Sequence, residues 1–455
     1  MSGINIEDVV TTRWSEPIKG RFGFKGAYMK QIDQTICLIV GSDGEEALGL
    51  GTQNVLWSDA DFFKTRRESA ANAAMYLVSD KAAQILRAEG SFSGRPDELI
   101  NEEFIKELHE YAKIVTEKPD LRLTFTLNAL VAADYALWGL YKKQNGIKDF
   151  NGLIPKEYKA GFSRQAAKVA AIPLMSYTKG ENDIAQALKQ GYIMLKLKIG
   201  HSTDHPAGSK DDMEKMLTLD KERLKMMHDI AKEFSTEYTA NGLIPYYLDA
   251  NGRYGSKKND ADYLHNLIEY SKEIGAHKHI LVVEEPFDEG NNIDYRQFDV
   301  PIASDESAHS VKDVIEQIQK GARLIALKPI AKTMSETFRM VQAVYDYNKT
   351  AKEEKDKVYC FCADLTVIPQ LVQLNLNFAA RLPTIPGMII PAFETNGHQH
   401  YKNWKQLRKD QPLHNKQWAQ QIKGIFGLDP NWYRHDGGIW KSSNTYLKMA
   451  KALIE

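Results

Sequence analysis

Cysteine is scarce in this sequence, and its positions exclude a disulfide framework. The 455 residues contain only Cys37, Cys360 and Cys362, with no CxxC pair and no Cys/His group at zinc-ligand spacing. Cys360 and Cys362 are two residues apart in a strand-like run, so their side chains share one face of it. We expect reduced thiols, with these two serving as buried packing residues.

An excess of either charge is also missing, as is a long uninterrupted hydrophobic run. The 59 Lys and Arg residues oppose 60 Asp and Glu residues, which gives no general attraction for nucleic acid or anionic lipid. The N-terminus lacks the basic and apolar regions of a signal peptide, and Asp134 interrupts the most apolar helical stretch. We therefore expect a cytoplasmic protein that binds a small molecule, with no nucleic-acid or membrane partner.

Two kinds of chain organisation are visible. Residues 1–150 contain β-rich runs around Ile36 to Val40 followed by helical periodicity, which predicts an α+β domain. Residues 151–400 alternate short apolar strands with amphipathic helices, as in repeated βα units closed into a barrel. Residues 401–455 are rich in tryptophan, and we expect them to pack back on the first domain. The eight predicted strands cover 170–177, 193–200, 245–251, 280–286, 300–307, 323–329, 358–365 and 386–394.

One crossover of this barrel is longer than a helix requires. Residues 201–218 follow the second strand and precede a helix that would suffice alone as the connection. We interpret them as an insertion at the barrel rim. It is either a solvated loop or a cover for the site.

Carboxylates end three consecutive predicted strands. Asp249, Glu284 and Asp305 close the third, fourth and fifth strands, and neighbouring strands lie about 4.8 Å apart. Three anions this close would repel each other and lose hydration unless a cation joined them. Oxygen ligands favour Mg²⁺, with Mn²⁺ as a substitute. The alternative is three unrelated acids on the rim.

Lysines are placed on two opposite sides of the same barrel mouth. Lys196 and Lys198 share a face of the second strand, about 6.6 Å apart, and Lys328 ends the sixth. A cation and a second lysine nearby should lower a lysine pKa toward that of a general base. Such a site could remove a proton α to a carboxylate while the metal stabilises the enediolate. Otherwise the lysines pair with rim acids.

These motifs resemble the enolase superfamily, and within it the muconate-lactonizing-enzyme subgroup that includes dipeptide epimerases and o-succinylbenzoate synthases. The matching segments, in strand order, are Lys196-Leu197-Lys198, Asp249-Ala250-Asn251, Glu284-Glu285-Pro286, Asp305-Glu306-Ser307 and Ala326-Leu327-Lys328-Pro329. The resemblance implies an α/β fold, a modified TIM barrel (β/α)7β with an α+β capping domain. It also implies Mg²⁺, a carboxylate substrate, Lys198 and Lys328 as acid and base, and Lys196 as electrostatic helper. We also expect a homo-oligomer.

The resemblance leaves the overall reaction open. A lysine on each face favours racemisation or epimerisation of an amino-acid- or dipeptide-like carboxylate. A dehydratase or synthase (β-elimination) or a cycloisomerase would use the same first step, and a catalytically idle barrel used for binding is an alternative of another class. Glu394 stands where many dipeptide epimerases have an Asp-x-Asp motif that holds an ammonium group. It either replaces that motif or pairs with a local base.

Further candidates carry weaker signals. Asp364 stands where the family often has an acid that orients the site, and Asn251 could support substrate or cap a helix. Lys332 and Glu285 are interpreted as rim pairs, and His398 and His400 as loop residues unsuited to a metal. The candidates for lining the cavity or selecting the substrate are Ser176, Tyr177, Trp14, Arg21 and Trp57.

Overall fold

The computed structural model describes residues 3–24, 27–200, 210–410, 419–422, 424–440 and 444–454. The strands within this part are β1 (Ile4–Phe24), β2 (Ala27–Gly41), β3 (Glu46–Gln53), β4 (Ser91–Phe92), β5 (Lys168–Ile172), β6 (Leu174–Met175), β7 (Leu195–Lys198), β8 (Tyr246–Asp249), β9 (Ile280–Glu284), β10 (Ile302–Ser304), β11 (Leu324–Leu327), β12 (Tyr359–Cys362), β13 (Ala392–Glu394), β14 (Ala419–Ile422) and β15 (Ile425–Leu428).

The α-helices connect and cover these strands. Those in the described part are α1 (Val55–Ser58), α2 (Ala60–Lys64), α3 (Glu68–Glu89), α4 (Pro96–Leu99), α5 (Glu102–Thr116), α6 (Leu123–Gln144), α7 (Phe150–Leu153), α8 (Glu181–Lys189), α9 (Lys210–Ala231), α10 (Ala261–Glu273), α11 (Val311–Lys320), α12 (Met334–Asn348), α13 (Pro369–Ala379), α14 (Gly397–His400), α15 (Trp404–Asp410) and α16 (Asn444–Lys451).

The N-terminal region forms an antiparallel sheet covered by helices. Its strand order is β3-β2-β1-β4, and β1 and β2 form a long hairpin in which Thr11 lies opposite Cys37. Helix α6 packs on β3, where a Cβ on Gly49 would lie only 2.0 Å from the Ala132 carbonyl oxygen. Glycine therefore permits the close helix–sheet approach that this domain needs.

Helix α6 is the single helix among the described residues that is long and apolar enough to span a membrane. However, 94% of its most apolar 18-residue window is buried inside the protein. Helix α3, strand β3 and helix α12 all contact it. The burial of α6 on all sides accounts for its apolar composition, as in the core helix of a large protein.

The second region is a closed eight-stranded barrel, as predicted. Pro173, which separates β5 from β6, divides its first strand into two short halves. Strand β5 pairs with β13 and β6 pairs with β7, so the sheet order β5-β13-β12-β11-β10-β9-β8-β7-β6 closes on itself. All eight strands are parallel around this ring. The modified TIM barrel with an α+β domain is thus confirmed.

Two details of the predicted (β/α)7β pattern are corrected. Between β9 and β10 the connection contains a 3₁₀ turn, Tyr295–Gln297, in place of an α-helix. Glu284 and Asp305 are only 21 positions apart, which leaves little room for a helix and two loops. In the expected rim insertion, α9 begins as early as Lys210, so residues 210–218 are helical, while 201–209 lie outside the described residues.

The C-terminal segment contacts both regions. Helix α16 lies against β1 and β2, and the Tyr446 hydroxyl donates to Glu16 at 2.5 Å. Strands β14 and β15, by contrast, form a hairpin that pairs antiparallel with β5 and extends the barrel sheet. The domain boundaries at 150 and 400 stay predictions.

Candidate functional site

The carboxyl ends of the barrel strands place the predicted acids and lysines at one level. In the sheet register, Lys198 lies beside Asp249 and Asp249 beside Glu284. Ala303 lies beside Glu284, so Asp305 follows two residues beyond on the adjacent strand. Because these strands are parallel and neighbouring, three acids that are far apart in the sequence meet at one edge.

A cavity of about 40 Å³ opens at this edge. The N-terminal domain contributes aromatic side chains to it, and the barrel contributes the charged groups. The described residues that line it are Phe22, Phe24, Asn54, Trp57, Leu174, Lys196, Lys198, Asp249, Asn251, Asp305, Lys328, Asp364, Leu365, Thr366, Glu394 and Asn396. A concave site with mixed apolar walls and converging charges is typical of a small-molecule site.

Lys196 is the centre of a buried ionic network. Its Nζ lies 2.8 Å from Asp249 Oδ2, 2.5 Å from Glu284 Oε2 and 2.7 Å from Glu394 Oε1. The Tyr247 hydroxyl donates to Glu284 and, at 2.6 Å, to Glu394. Sequence reasoning missed Tyr247, although it lies two residues before Asp249 and therefore on the same face of β8.

The other two lysines each pair with one carboxylate. Lys198 Nζ lies 2.5 Å from Asp249 Oδ2 and also donates to Asn251, whereas Lys328 donates to Asp305 Oδ2. The strands that carry these lysines, β7 and β11, are four positions apart in a ring of eight. The two ammonium groups are thus attached to opposite walls of the cavity.

Neighbouring carboxylates determine the pKa of two of the lysines. Burial alone would lower the pKa of Lys196, but Asp249, Glu284 and Glu394 raise it well above its usual range. Burial would likewise lower the pKa of Lys328, and Asp305 together with Glu306 reverses the shift and raises it. For both lysines the paired carboxylates outweigh desolvation, and the lowering expected beside a bound cation stays a prediction.

The three predicted metal-binding acids differ in their electrostatics. Burial would raise the pKa of Asp249, but Lys196 and Lys198 lower it to about 2. For Asp305, Lys328 and Lys332 overcome burial and keep the pKa well below its usual range. Burial and the neighbouring Asp249 instead raise the pKa of Glu284 well above its usual range. Asp249 and Asp305 thus each have two lysine partners, whereas Glu284 shares a single lysine with Asp249.

These acids fit a hard divalent cation by their chemistry. In the described part of the chain, no three His, Cys, Asp or Glu side chains already surround a metal position, because the lysine ammonium groups lie between the carboxylates. Glu284 Oε1 is nevertheless buried without a hydrogen-bond partner in the structure. A buried carboxylate oxygen of this kind lacks a donor or a cation, and the set of oxygen ligands suits Mg²⁺ or Mn²⁺.

Asp364 and Glu394 are held by backbone amides on neighbouring strand ends. Asp364 Oδ2 accepts from Asn396 N at 2.7 Å, and the Asp364 N–H donates to Glu394 Oε2 at 3.2 Å. Burial raises the pKa of Asp364 to about 6. Glu394 pairs with Lys196, in accordance with the local-base alternative rather than with a carboxylate left for a substrate ammonium group.

Lys332 and Glu285 are fully buried, which corrects their interpretation as rim pairs. Lys332 Nζ donates to the Asp305 carbonyl oxygen at 2.7 Å and the Ala308 carbonyl oxygen at 2.8 Å, and it contacts Asp305 Oδ1 at 3.2 Å. Glu285 accepts from the Asp305 N–H at 2.7 Å. Both side chains therefore fix the segment that carries Asp305. Their spacing in the sequence gave no signal of this contact.

Two residues of the site have unusual backbones. Asn251 has φ 47° and Glu285 has φ 39°, each directly beyond a strand that carries a predicted ligand. The left-handed region is tolerated by asparagine but uncommon for glutamate. Such strain persists where surrounding contacts hold it, and it clusters at functional sites. Asn251 also donates to Glu306 Oε1 at 3.0 Å, which connects β8 with the loop after β10.

The remaining candidates divide into those at the cavity and those elsewhere. Trp57 lines the cavity with its ring centre 4.3 Å from Lys328 Nζ. Ser176 and Tyr177, which were expected to line the cavity, are not among its lining residues. The Tyr177 hydroxyl instead donates to the Ile199 carbonyl oxygen at 2.8 Å. Trp14 and Arg21 are exposed on β1.

The two histidines after β13 contact different aromatic neighbours. His398 stacks on Tyr192, and His400 meets the edge of Phe22. Both lie in the short helix α14, which corrects their interpretation as loop residues.

Comparisons with known proteins find similar structures, whereas searches with the sequence find no match. No family model matches the sequence, and no curated protein matches it significantly. An L-Ala-D/L-Glu epimerase from Bacillus subtilis superposes with a TM-score of 0.63 at 16% identity, over 96% of this chain and 98% of that one. An enolase-superfamily member from Listeria innocua gives 0.61 at 16%, over 99% and 97%.

A third similar structure was solved with ligands. It is a dipeptide epimerase from Enterococcus faecalis complexed with Mg and L-Leu-L-Tyr, with a TM-score of 0.61 at 15% identity over 96% of this chain and 99% of that one. At this identity the similarity establishes the architecture, and function requires a separate argument. The chain therefore has the fold of the enolase superfamily.

Proposed function

We propose that this protein is an enzyme that removes the proton next to a carboxylate, and that it racemises or epimerises an amino-acid- or dipeptide-like substrate. The observation that carries the proposal is the placement of Lys198 and Lys328 on opposite walls of one cavity that also contains Asp249 and Asp305. A base on each face allows the proton to leave one side and return on the other.

Asp249, Glu284 and Asp305 would hold Mg²⁺ or Mn²⁺ in this proposal. When bound, the cation supplies positive charge beside the substrate carboxylate, where negative charge develops as the proton leaves. The unpartnered Glu284 Oε1 supports this assignment. So does the wider similarity, since one enzyme of the same fold was solved with Mg and a dipeptide.

The chain's own residues would carry out the proton transfers. Lys198 or Lys328, in its neutral form, takes the α-proton from the face it occupies, and the opposite lysine in its charged form returns a proton. Lys196, whose pKa is raised far above its usual range, stays charged and stabilises the developing anion. Neutralising Asp305 with a cation would remove the main interaction that raises the Lys328 pKa.

The substrate would be a small carboxylate of the cytoplasm, and the enzyme a homo-oligomer. The cavity walls formed by Phe22, Phe24 and Leu365 would exclude water from the reacting carbon. Exclusion of water strengthens the electrostatic contribution of the lysines.

The test is hydrogen exchange in D₂O with Mg²⁺. Both stereoisomers of a panel of dipeptides and N-acylated amino acids, including L-Ala-L-Glu and L-Leu-L-Tyr, are incubated with the protein and examined by mass spectrometry and NMR. Lys198→Ala and Lys328→Ala should each lose exchange of a different stereoisomer, by about 10²- to 10⁴-fold. Lys349→Ala, which removes an exposed lysine directly after α12, serves as the matched control and should exchange both stereoisomers.

The other reactions give different outcomes. A dehydratase, synthase or cycloisomerase would show an asymmetric result, in which one lysine variant stops proton loss and the other only slows it. Equal, undiminished exchange in both variants would refute the two-base mechanism. A barrel used only for binding would show neither exchange nor Mg²⁺ affinity.

The cation site has its own test. Asp249→Asn, Glu284→Gln and Asp305→Asn each remove a ligand charge with little change in size, so each should weaken Mg²⁺ binding measured by calorimetry. The wild type should also gain about 2.7 kcal/mol of stability when free Mg²⁺ is 100 times its dissociation constant. Unchanged Mg²⁺ affinity in all three variants would contradict the assignment.

A further inference from the structure

Each lysine on the two opposite walls is covered by an aromatic ring from the N-terminal domain. Lys328 Nζ lies 4.3 Å from the centre of the Trp57 ring, and Lys198 Nζ lies 5.5 Å from the centre of the Phe24 ring. Both distances are within the range of a cation–π interaction. By contrast, Lys196, the proposed electrostatic helper, faces Tyr247 of the barrel itself at 4.6 Å.

The two rings are held by independent parts of the N-terminal domain. Phe24 ends β1, while Trp57 lies in α1, whose N-cap Asn54 accepts from the Trp57 N–H at 3.0 Å. Asn54 in turn donates its own N–H to Asn128 of α6 at 2.9 Å. Each ring can therefore be altered without displacing the other.

The contacts are buried, which makes them stronger than the same contacts at a surface. Trp57 is 4% exposed and Lys328 is 3% exposed, while Phe24 and Lys198 are 7% and 9% exposed. A lysine has four rotatable side-chain bonds, and the polar partners are Asp305 for Lys328 and Asp249 with Asn251 for Lys198. A ring on the other side restricts rotation about these bonds and interacts favourably with the charge.

We infer that Trp57 and Phe24 are positioning residues, each dedicated to one lysine: Trp57 holds Lys328, and Phe24 holds Lys198. The inference rests on the proposed function for its catalytic meaning, but the positioning itself concerns contacts within this chain. The N-terminal domain would then arrange the base on each face through a separate ring. The two rings would set the rates of the two stereochemical directions independently.

The first experiment needs no substrate. The full-length wild type and variants are trace-labelled with acetic anhydride, and acetylation of each lysine is quantified by peptide mass spectrometry. Trp57→Leu should raise labelling of Lys328 by about 2- to 30-fold and leave Lys198 unchanged, and Phe24→Leu should do the reverse. Trp57→Phe keeps a ring and should label close to the wild type.

Two internal controls separate positioning from a general loosening of the structure. Lys332 is completely buried and its ammonium group donates to the Asp305 and Ala308 carbonyl oxygens, so its labelling reports opening of the barrel. Trp14→Leu removes a large aromatic side chain that is 47% exposed on the same strand as Phe24. It should leave the labelling of both lysines as in the wild type.

The second experiment uses the D₂O exchange assay on the first panel compound that the wild type turns over. Trp57→Leu should slow exchange of the stereoisomer that depends on Lys328. Phe24→Leu should slow exchange of the stereoisomer that depends on Lys198. Trp57→Phe keeps a ring and should exchange the Lys328-dependent stereoisomer at the wild-type rate. Labelling that rises at both lysines and at Lys332 in each variant would overturn the inference, as would unchanged labelling or a Trp57→Phe variant that behaves like Trp57→Leu. Absence of exchange by the wild type would count against the proposed function alone, because the labelling result stands independently.

Discussion

Asp134 should make the stability of this protein fall as the pH rises from about 4 to 6. Its carboxylate, buried in helix α6, accepts from the Met334 N–H at 2.8 Å and from the Ser335 hydroxyl at the start of α12. Burial raises its pKa from the usual 3.8 to about 6. Helix α12 is thus held by a carboxylic acid whose ionisation lowers the stability of the folded protein.

The sign and size follow from linkage. The unfolded chain releases this proton near pH 3.8 and the folded chain near pH 6, so between these values the folded state binds more protons. Stability from this group is therefore complete below the unfolded pKa and is lost as the pH rises through the folded pKa. A difference of about two pH units corresponds to about 3 kcal/mol.

The test compares urea unfolding of the wild type and Asp134→Asn between pH 4 and 8. Asparagine can accept from Met334 and donate to the Ser335 oxygen without carrying a charge, so the variant should gain up to about 3 kcal/mol relative to the wild type as the pH rises. Asp346→Asn on the exposed face of α12 is the control, since the pKa of Asp346 is lowered and its effect lies below pH 4. Parallel stability curves for wild type and Asp134→Asn would refute the reasoning.

Two other substitutions test the contacts around the site. Lys332→Met should lose about 3 to 5 kcal/mol in urea unfolding, because Asp305 and two carbonyl oxygens lose a buried cation, and a loss below about 1 kcal/mol would show that the ammonium is not needed. Arg122→Ala should lower the thermal unfolding midpoint. Arg122 donates to the Trp57 carbonyl oxygen and also lies 2.5 Å from the Glu289 carboxylate of the barrel. The expected cost is about 1 to 3 kcal/mol, and an unchanged midpoint would contradict this bridge.

The barrel and the placement of its charged strand ends were predictable because both follow from local patterns. A short apolar run that ends in Asp249 or Lys328 indicates a strand and the end that carries its polar residue. The order of such strands in a ring then places the second opposite the sixth. This reasoning did not supply the interruption at Pro173 or the 3₁₀ turn between β9 and β10, because it weighed neither the missing N–H of proline nor the short spacing between Glu284 and Asp305.

The charge pairing inside the mouth required the structure, for a physical reason. Whether a buried lysine has a raised or a lowered pKa depends on the balance of desolvation and neighbouring charge, and both are large. Lys328 and Lys332 are only four residues apart and both contact Asp305, yet the pKa of Lys328 is raised and that of Lys332 is lowered. For Lys332, burial outweighs the attraction of Asp305, whereas for Lys328 the combined attraction of Asp305, Glu306 and Glu284 outweighs burial. Sequence spacing indicates which strand end carries a charged residue. The direction of each lysine pKa shift depends on distances between side chains of separate strands, which the spacing does not give.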